Sequence, residues 1–280
     1  MENFLVTNEP LVRLICFFGI FAGVALVEIF APRRALTVSK RRRWTTNLGL
    51  VIINGLAIRL LVPILAVGLA TKAAAEGWGV LNIVDWPVWL EVIIAVIVLD
   101  AVIYLQHVMV HAVPLFWRLH MVHHADLDFD VTTGARFHTV EIFLSMGIKL
   151  ATVLVLGPAA VAVIIFEVLL NATAMFNHGN ISLPVGLDRV LRLIVVTPDM
   201  HRVHHSIMPS ETNSNFGFNL PWWDWIFGTY RAQPRGGHDG MTIGLSIYRD
   251  PDRIGLLGAL ALPVSGTTGG YPLNRKDGAS

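Results

Sequence analysis

The sequence predicts an all-α fold: a polytopic membrane helix bundle of about four to five transmembrane helices. Three observations predict it. Of 280 residues, 54% are hydrophobic and only 15% charged, where ordinary soluble domains are nearer a quarter charged. The apolar residues fall in blocks long enough to span a bilayer. Six of the 11 histidines lie in two copies of His-x-Val-His-His, at 120–124 and 201–205. The formal net charge of +1 gives no argument for a nucleic-acid partner, and a single cysteine, Cys16, excludes an intramolecular disulfide.

The first apolar block is "LVRLICFFGIFAGVALVEIFA", residues 11–31. No basic segment precedes it and no small-residue cleavage site follows, so it reads as a membrane helix and not as a signal peptide. A basic cluster, Arg33, Arg34 and Lys40 to Arg43, comes directly after it. The positive-inside rule then places 32–45 in the cytoplasm and the N-terminus outside. A second block, about 47–71, runs back outward and contains Arg59 and Pro63. Residues 72–88 form an outer connection with Trp78 and Trp86 as interfacial anchors. The third block, about 88–111, returns inward and ends in "HVMVH". After a polar stretch, 112–140, comes a long apolar region at 141–177, split by Gly157-Pro158 into a hairpin. This topology brings the histidines at 107–111, 120–124, 178 and 201–205 to the cytoplasmic face. Residues 209–230 mix Trp and Phe with polar residues, which suits a membrane interface or an aromatic core equally. The tail after about 255, ending in Gly, Ser and Thr, reads as partly disordered.

Residues three and four apart share one face of a helix. His107 and His111 have that spacing, as do His120, His123 and His124, and again His201, His204 and His205. With His178 they make nine imidazoles. One ion takes about four to six ligands, so nine imidazoles suit two ions. Neutral imidazole selects zinc, copper, iron or nickel over calcium or magnesium. The constellation therefore reads as a cytoplasmic-face, histidine-rich metal site. A carboxylate commonly accepts the second ring N–H of such ligands. Asp100 and Tyr104 share the face of His107 and His111, so Asp100 is placed for this role; pairing with Arg59 within the membrane is its rival reading. His138, in "RFHTVE", stands alone in its segment and reads, like Tyr104, as a contact behind the ligands or as a structural residue, with Arg136 and Glu141 able to pair around it. His238, in "RGGHDG", lies outside every box.

Across about 100–230 the boxes occur in a fixed order: "DAVIYLQHVMVH", "RLHMVHHADLDFDVTTGARFH", "NHGN", "TPDMHRVHHS", "NSNFG" and "WWDWIFGTY". This pattern resembles the fatty acid hydroxylase superfamily of sterol desaturases, fatty acid and carotenoid hydroxylases, and alkylglycerol monooxygenase. One departure is Thr139, where family members often carry proline after the histidine of "RFH". The resemblance implies an oxidoreductase with a non-haem centre of two iron ions, held by His107, His111, His120, His123, His124, His178, His201, His204 and His205. Zinc could replace iron on purification. The resemblance also implies O2 as co-substrate, a lipid C–H bond as the point of hydroxylation or desaturation, and a separate electron-transfer protein. Asp199 and Asn215 become candidates for contacts behind the ligands.

The resulting division is 1–90 for N-terminal transmembrane helices with a basic cytoplasmic loop, 91–232 for the catalytic unit, and 233–280 for a partly disordered tail. Two other functions stay open at this point. A membrane zinc hydrolase could use Glu141 as general base, although His-Glu-x-x-His is absent. A metal transporter would place ligands near the bilayer midplane and not at one surface.

Overall fold

The computed structural model describes residues 2–274. Helices α1 (Glu2–Thr7) and α2 (Glu9–Phe30) open the chain, followed by α3 (Lys40–Leu61) and α4 (Ala66–Glu76). Helix α5 (Val88–Ala112) runs directly into α6 (Pro114–His124), and α7 (Thr139–Leu156) forms a hairpin with α8 (Ala160–Asn177). Five short helices follow on loops: α9 (Val185–Leu191), α10 (Pro198–His204), α11 (Pro209–Thr212), α12 (Trp222–Ile226) and α13 (Gly237–Gly240). The last is α14 (Leu256–Ser265). Among the described residues there is no strand, only the isolated bridges Pro32–Ile181 and Ser206–Ile243.

Among the described residues, five stretches are long and apolar enough to cross a membrane: Glu9–Phe30, Lys40–Asn82, Val88–Ala112, Thr139–Leu156 and Ala160–Asn177. The chain is a polytopic integral membrane protein. The block expected as one helix at about 47–71 is two helices. Pro63 has no N–H to continue α3 and forces its predecessor out of the helical region, and Val62 is extended at φ −105°, ψ 108°. The expected break at 157–158 is present. Gly157 ends α7 in the left-handed conformation at φ 65°, and a Cβ there would sit 2.2 Å from the Trp78 carbonyl oxygen. This close approach locks the α4–α5 connection onto the α7–α8 turn, at the end of the bundle away from the histidines.

Between these helices lies a core of Ala66, Ala70, Leu99, Ile103, Val153 and Phe166. A second core forms where α14 packs on α3 and α6 and includes Trp117, Met121, Leu262 and Tyr271. The tail, read from composition as partly disordered after about 255, is therefore folded over 256–274. The apolar run of α14 buries Ala259 and Leu262, and Tyr271 stacks on Trp117 with ring centroids 5.7 Å apart. Residues 275–280 lie outside the described residues.

The histidine end of the bundle is tied by one buried charge network. Arg43, in the first turns of α3, donates to both oxygens of Asp126 at 2.6 and 2.8 Å and to Asp130 at 2.5 Å. Asn47, one turn on, donates to Asp126 and to Thr132. Asp128 accepts from the backbone N–H groups of Thr37 and Val38. Burial alone would raise the Asp126 carboxyl, but the Arg43 guanidinium overrides it and holds the group well below the usual carboxylate range. Arg43 thus belongs to the interior, while Arg41 and Arg42 of the same basic run are exposed. Replacing Arg43 by Met should cost on the order of 3–5 kcal/mol, because two buried carboxylates lose their partner. Thermal unfolding of the variant in detergent measures this; a melting temperature unchanged from the parent would refute the network's role.

Candidate metal centre

Four elements deliver the nine histidines to one end of the bundle. Helix α5 carries His107 and His111 on one face, and α6 presents His120, His123 and His124 across from them. His178 follows the last residue of α8. Helix α10 supplies His201 and His204, with His205 as its C-cap. The α10 start is set locally: Pro198 occupies the first turn, and the Thr197 side chain accepts from the Met200 N–H.

All nine are buried, and they sort into two groups. His107, His111, His120, His124 and His204 form one; His123, His178, His201 and His205 form the other. Within each group the available ligand atoms lie within 4.8 Å of one another. The groups adjoin, with the His124 and His205 rings stacked at 4.6 Å. Sequence spacing could not give this division. The three histidines of α6 separate, His120 and His124 to the first group and His123 to the second, because around the helix His124 stands about 40° from His120 while His123 stands about 60° away on its other side.

The outward nitrogens show what the inward ones must do. Nδ1–H of His107 donates to the Phe216 carbonyl at 2.8 Å, that of His204 to Ser214 at 2.8 Å, and that of His178 to Ala174 at 2.8 Å. Nδ1–H of His111 donates to Asn213 Oδ1 at 3.0 Å and that of His120 to Glu141 Oε1 at 2.6 Å. An imidazole that donates from Nδ1 carries a bare lone pair on Nε2 when neutral. Yet Nε2 of His107 and His120 stand 3.2 Å apart, as do those of His111 and His124, His123 and His178, and His178 and His201. In the His107–His120 pair both rings donate from Nδ1, so two Nε2 lone pairs face each other and repel unless a cation lies among them. Two nitrogens bound to one ion at about 2.0–2.1 Å stand about 2.9–3.4 Å apart in tetrahedral or octahedral geometry. The residues therefore fit two imidazole-bound transition-metal ions.

Six of these imidazoles are held neutral. Burial first, and then neighbouring imidazoles, push His123, His124, His201, His204 and His205 well below their ordinary 6.5. Burial takes His178 down to about 3. Aromatic rings complete the enclosure. Phe137 stacks on His123 at 4.6 Å, Phe129 packs on His178 and His205, and Phe216 packs on His107, His111 and His204.

The residues expected behind the ligands take other places. Among the described residues, Asp100 touches neither a histidine nor Arg59. It accepts from the N–H groups of Asn219, Leu220 and the Trp223 indole, and so anchors the loop whose Phe216 carbonyl orients His107. Tyr104 bonds Thr229 at 2.9 Å and stacks on Phe227. His138 caps α7, its Nδ1 accepting from the Val140 N–H, and Thr139, in place of the family's frequent proline, begins that helix and donates to Asn54. Asp199 pairs with Arg202 and Arg33. Asn215 is left-handed at φ 52°, a conformation asparagine tolerates, and donates to the Met200 and Arg231 carbonyls. It shapes the turn that aims the Ser214 and Phe216 carbonyls. Arg136 does not pair with Glu141; it donates to Val122, Asn47 and Ile254. His238 is buried, 3.6 Å from Asp199, and belongs to neither group.

The carboxylate that meets a histidine of either group is Glu141, which neither pairs around His138 nor stands apart from the centre. The 209–230 segment divides: Asn213, Ser214 and Phe216 are drawn into the centre, while Trp225, Ile226 and Phe227 stay exposed as an interfacial edge. A cavity of about 310 Å³ opens beside the first group, reaching His107 and His120.

A helical membrane protein that converges buried neutral imidazoles on two adjacent points belongs to a narrow class. Residues 92–229 match the family model described as fatty acid hydroxylase, and this segment is a domain of the fatty acid hydroxylase superfamily. It is 27% identical over 181 residues to an ornithine lipid hydroxylase of Rhizobium tropici, covering 65% of this chain and 52% of that protein. It is 28% identical over 150 residues to human alkylglycerol monooxygenase, covering 52% and 32%. With methylsterol monooxygenase 2-2 of Arabidopsis thaliana it shares 27% over 172 residues, covering 60% and 64%. The chain thus spans about half the length of the ornithine lipid hydroxylase and a third of the alkylglycerol enzyme. No solved structure matches it at a significant level.

Glu141→Gln should weaken metal retention by about 10–100-fold, the usual scale for a partner behind a ligand; metal analysis after graded chelation measures it, and unchanged retention would show Glu141 to be incidental. The depressed histidine pKa values fix a second expectation. Between about 3 and 6.5 the unfolded chain binds the proton that folded His178 refuses, so stability is full above 6.5 and falls as pH drops through that window. Melting temperatures of chelator-treated protein from pH 7 to pH 4 should fall steadily; a flat profile would contradict it.

Proposed function

We propose that the chain is a membrane-bound, O2-dependent di-iron oxygenase that hydroxylates, or desaturates, a lipid C–H bond. One observation carries the reading: two adjoining groups of buried imidazoles converge their ring nitrogens, and one of them borders a cavity lined mainly by apolar residues within a membrane bundle. The relatives support it, since each is named for hydroxylating or oxygenating a lipid: an ornithine lipid, an alkylglycerol or a methylsterol. Two iron ions bound here would supply O2 activation and oxidation of an unactivated C–H bond.

The chain's own residues do the rest. Glu141 holds the Nδ1 proton of His120 and keeps its Nε2 lone pair free. The carbonyls of Phe216, Ser214 and Ala174 fix the tautomers of His107, His204 and His178 in the same way. Phe129, Phe137 and Phe216 keep water from the centre, and the cavity admits an apolar chain from the bilayer side. Electrons come from a separate electron-transfer protein that docks on the histidine face. That face is cytoplasmic and the N-terminus lies outside, as the basic cluster at 33–43 argues. Within the chain, 91–232 is the catalytic unit, with 1–90 and 233–280 as its flanking segments.

Heavy-oxygen incorporation into membrane lipid, from cells with and without the gene, tests the activity. His124→Ala and His205→Ala, one from each group, should each abolish labelling, while His238→Ala retains it. Full labelling in either of the first two variants would show the centre to be misassigned. Sidedness is tested in a Cys16→Ser background. A cysteine at Ser39 should label from the cytoplasm and one at Ala75 from the opposite side; the reverse pattern would invert the topology.

A further inference from the structure

Two segments distant in sequence, 33–42 and 231–253, meet over the histidine end of the bundle. Arg33 pairs with Asp239 and Arg42 with Asp252, and Arg34 donates to the Met241 carbonyl at 2.8 Å. Together the segments carry nine cations, five and four, against three acids, Asp239, Asp250 and Asp252. Topology accounts for the five at 33–42, because it counts basic residues within about 15–20 residues of a span. It does not account for the four at 231–253, since Arg231 follows the last span, ending at Asn177, by 54 residues. Among the described residues, the side chains of Arg231, Arg235 and Arg253 are exposed and make no hydrogen bond or ion pair. The layer faces water and not lipid, since Ile247 is the one large apolar side chain exposed within 231–253, at 37%.

Directly beneath this basic layer lies the four-histidine group. Met241 of the layer packs with Phe129 and Ile243 in one small core. The Phe129 ring stacks on His178 at 5.3 Å and meets His205 edge-on at 5.0 Å. A second line of contacts reaches the same ring. Arg33 lies 3.4 Å from Asp199, Asp199 pairs with Arg202, and the Arg202 guanidinium sits 5.3 Å from the Phe129 centroid. The five-histidine group, in contrast, borders the cavity through His107 and His120. The two groups therefore face opposite ways, one toward the bundle interior and the other toward the basic layer.

We propose that the layer formed by 33–42 and 231–253 is the docking surface for an acidic one-electron carrier protein, whose electron passes Phe129 to the four-histidine group. The inference rests on the oxygenase reading for why electrons are needed; docking itself requires neither metal nor O2. The carrier gives up one electron at each encounter and leaves oxidised. Two encounters, with two protons, take one atom of O2 to water while the other atom enters the C–H bond. A cation-rich face speeds encounter with an acidic partner, and charges at an interface rim act on association more than on residence, so a spent carrier leaves readily. Approach from this layer leaves the cavity free, so electron donor and lipid need not exchange places.

Docking is measured with the full-length protein in phosphatidylcholine nanodiscs, which carry no net charge. The probes are an oxidised plant-type two-iron ferredoxin, which is acidic, and a basic c-type cytochrome. The ferredoxin should bind and the cytochrome should not, and ferredoxin affinity should fall about tenfold or more between about 50 and 300 mM salt. Arg231→Glu, Arg235→Glu and Arg253→Glu combined should weaken ferredoxin binding about tenfold or more. Lys72→Glu, at the other end of the bundle, should leave it unchanged. In protein of equal iron content the triple variant should also slow reduction by reduced ferredoxin about tenfold. Its reduction by photoreduced deazariboflavin, which is small and uncharged, should not change. Phe129→Leu should keep ferredoxin binding and slow its electron transfer; an unchanged rate would remove Phe129 from the route. Tighter binding of the cytochrome, equal ferredoxin binding by parent and triple variant, or an equal loss of both reduction rates overturns the proposal. A triple variant that loses only its binding to phosphatidylglycerol vesicles assigns the layer to an anionic membrane and overturns it too. If the docking pattern holds while heavy-oxygen labelling fails, the surface stands and the oxygenase reading falls. If labelling succeeds while the pattern fails, the oxygenase reading stands and the surface falls.

Discussion

Everything at one end of this bundle answers to a single electrostatic constraint. Histidine Nε2 atoms stand 3.2 Å apart in a buried space, and in the His107–His120 pair both turn a lone pair inward. Such an arrangement is unfavourable by itself, and protonation cannot relieve it, since burial drives the histidines at 178 and 201–205 toward the neutral form. The fold must therefore hold the rings from outside. It does so with fixed acceptors at Nδ1 and with aromatic faces, so that when cations are bound no reorganisation of the ligands is required.

The restraint is distributed over parts of the chain distant in sequence. Helix α6, which carries three of the nine histidines, is pinned at its C-terminal end by Arg43 and Asn47 of α3 through Asp126. Trp117 of the same helix donates to the Thr268 carbonyl, so the C-terminal segment closes over its other side. The turn at 213–217 supplies three acceptors and is itself held by Asp224, whose oxygens accept from the N–H groups of Phe216 and Gly217. A Cβ at Gly217 would come within 2.7 Å of Asp224 Oδ2, so glycine is required where carboxylate and backbone approach so closely.

The spans and the histidine clustering were legible in the sequence because both rest on local periodicity: long apolar runs, and i, i+3, i+4 spacing. What was not legible depends on pairing between distant segments. Asp100 shares a helical face with His107, yet its carboxylate turns to the 219–223 backbone; same-face spacing gives direction and not partner. Glu141 lies 21 residues from His120 and on a different helix, so only the fold could join them. The split of α3 from α4 could have been seen in Pro63. The folding of α14 is signalled by its apolar run, although the Gly-rich segment after it points the other way in composition. The division of nine histidines into five and four is a property of how α5, α6, α8 and α10 converge, and no spacing rule contains it.

The two histidine groups are not equivalent, and the asymmetry bears on how a substrate can meet the centre. Of the nine, only His107 and His120 border the cavity, and both belong to the five-histidine group. Members of the four-histidine group are covered instead by Phe129 and Phe137. A molecule entering from the bundle interior therefore reaches one group and is screened from the other by rings. Helix α7 sets the terms of entry, since its Glu141 supports His120 while its Lys149, two turns deeper, pairs with Glu167. One helix thus fixes both a histidine of the centre and the far wall of the chamber before it.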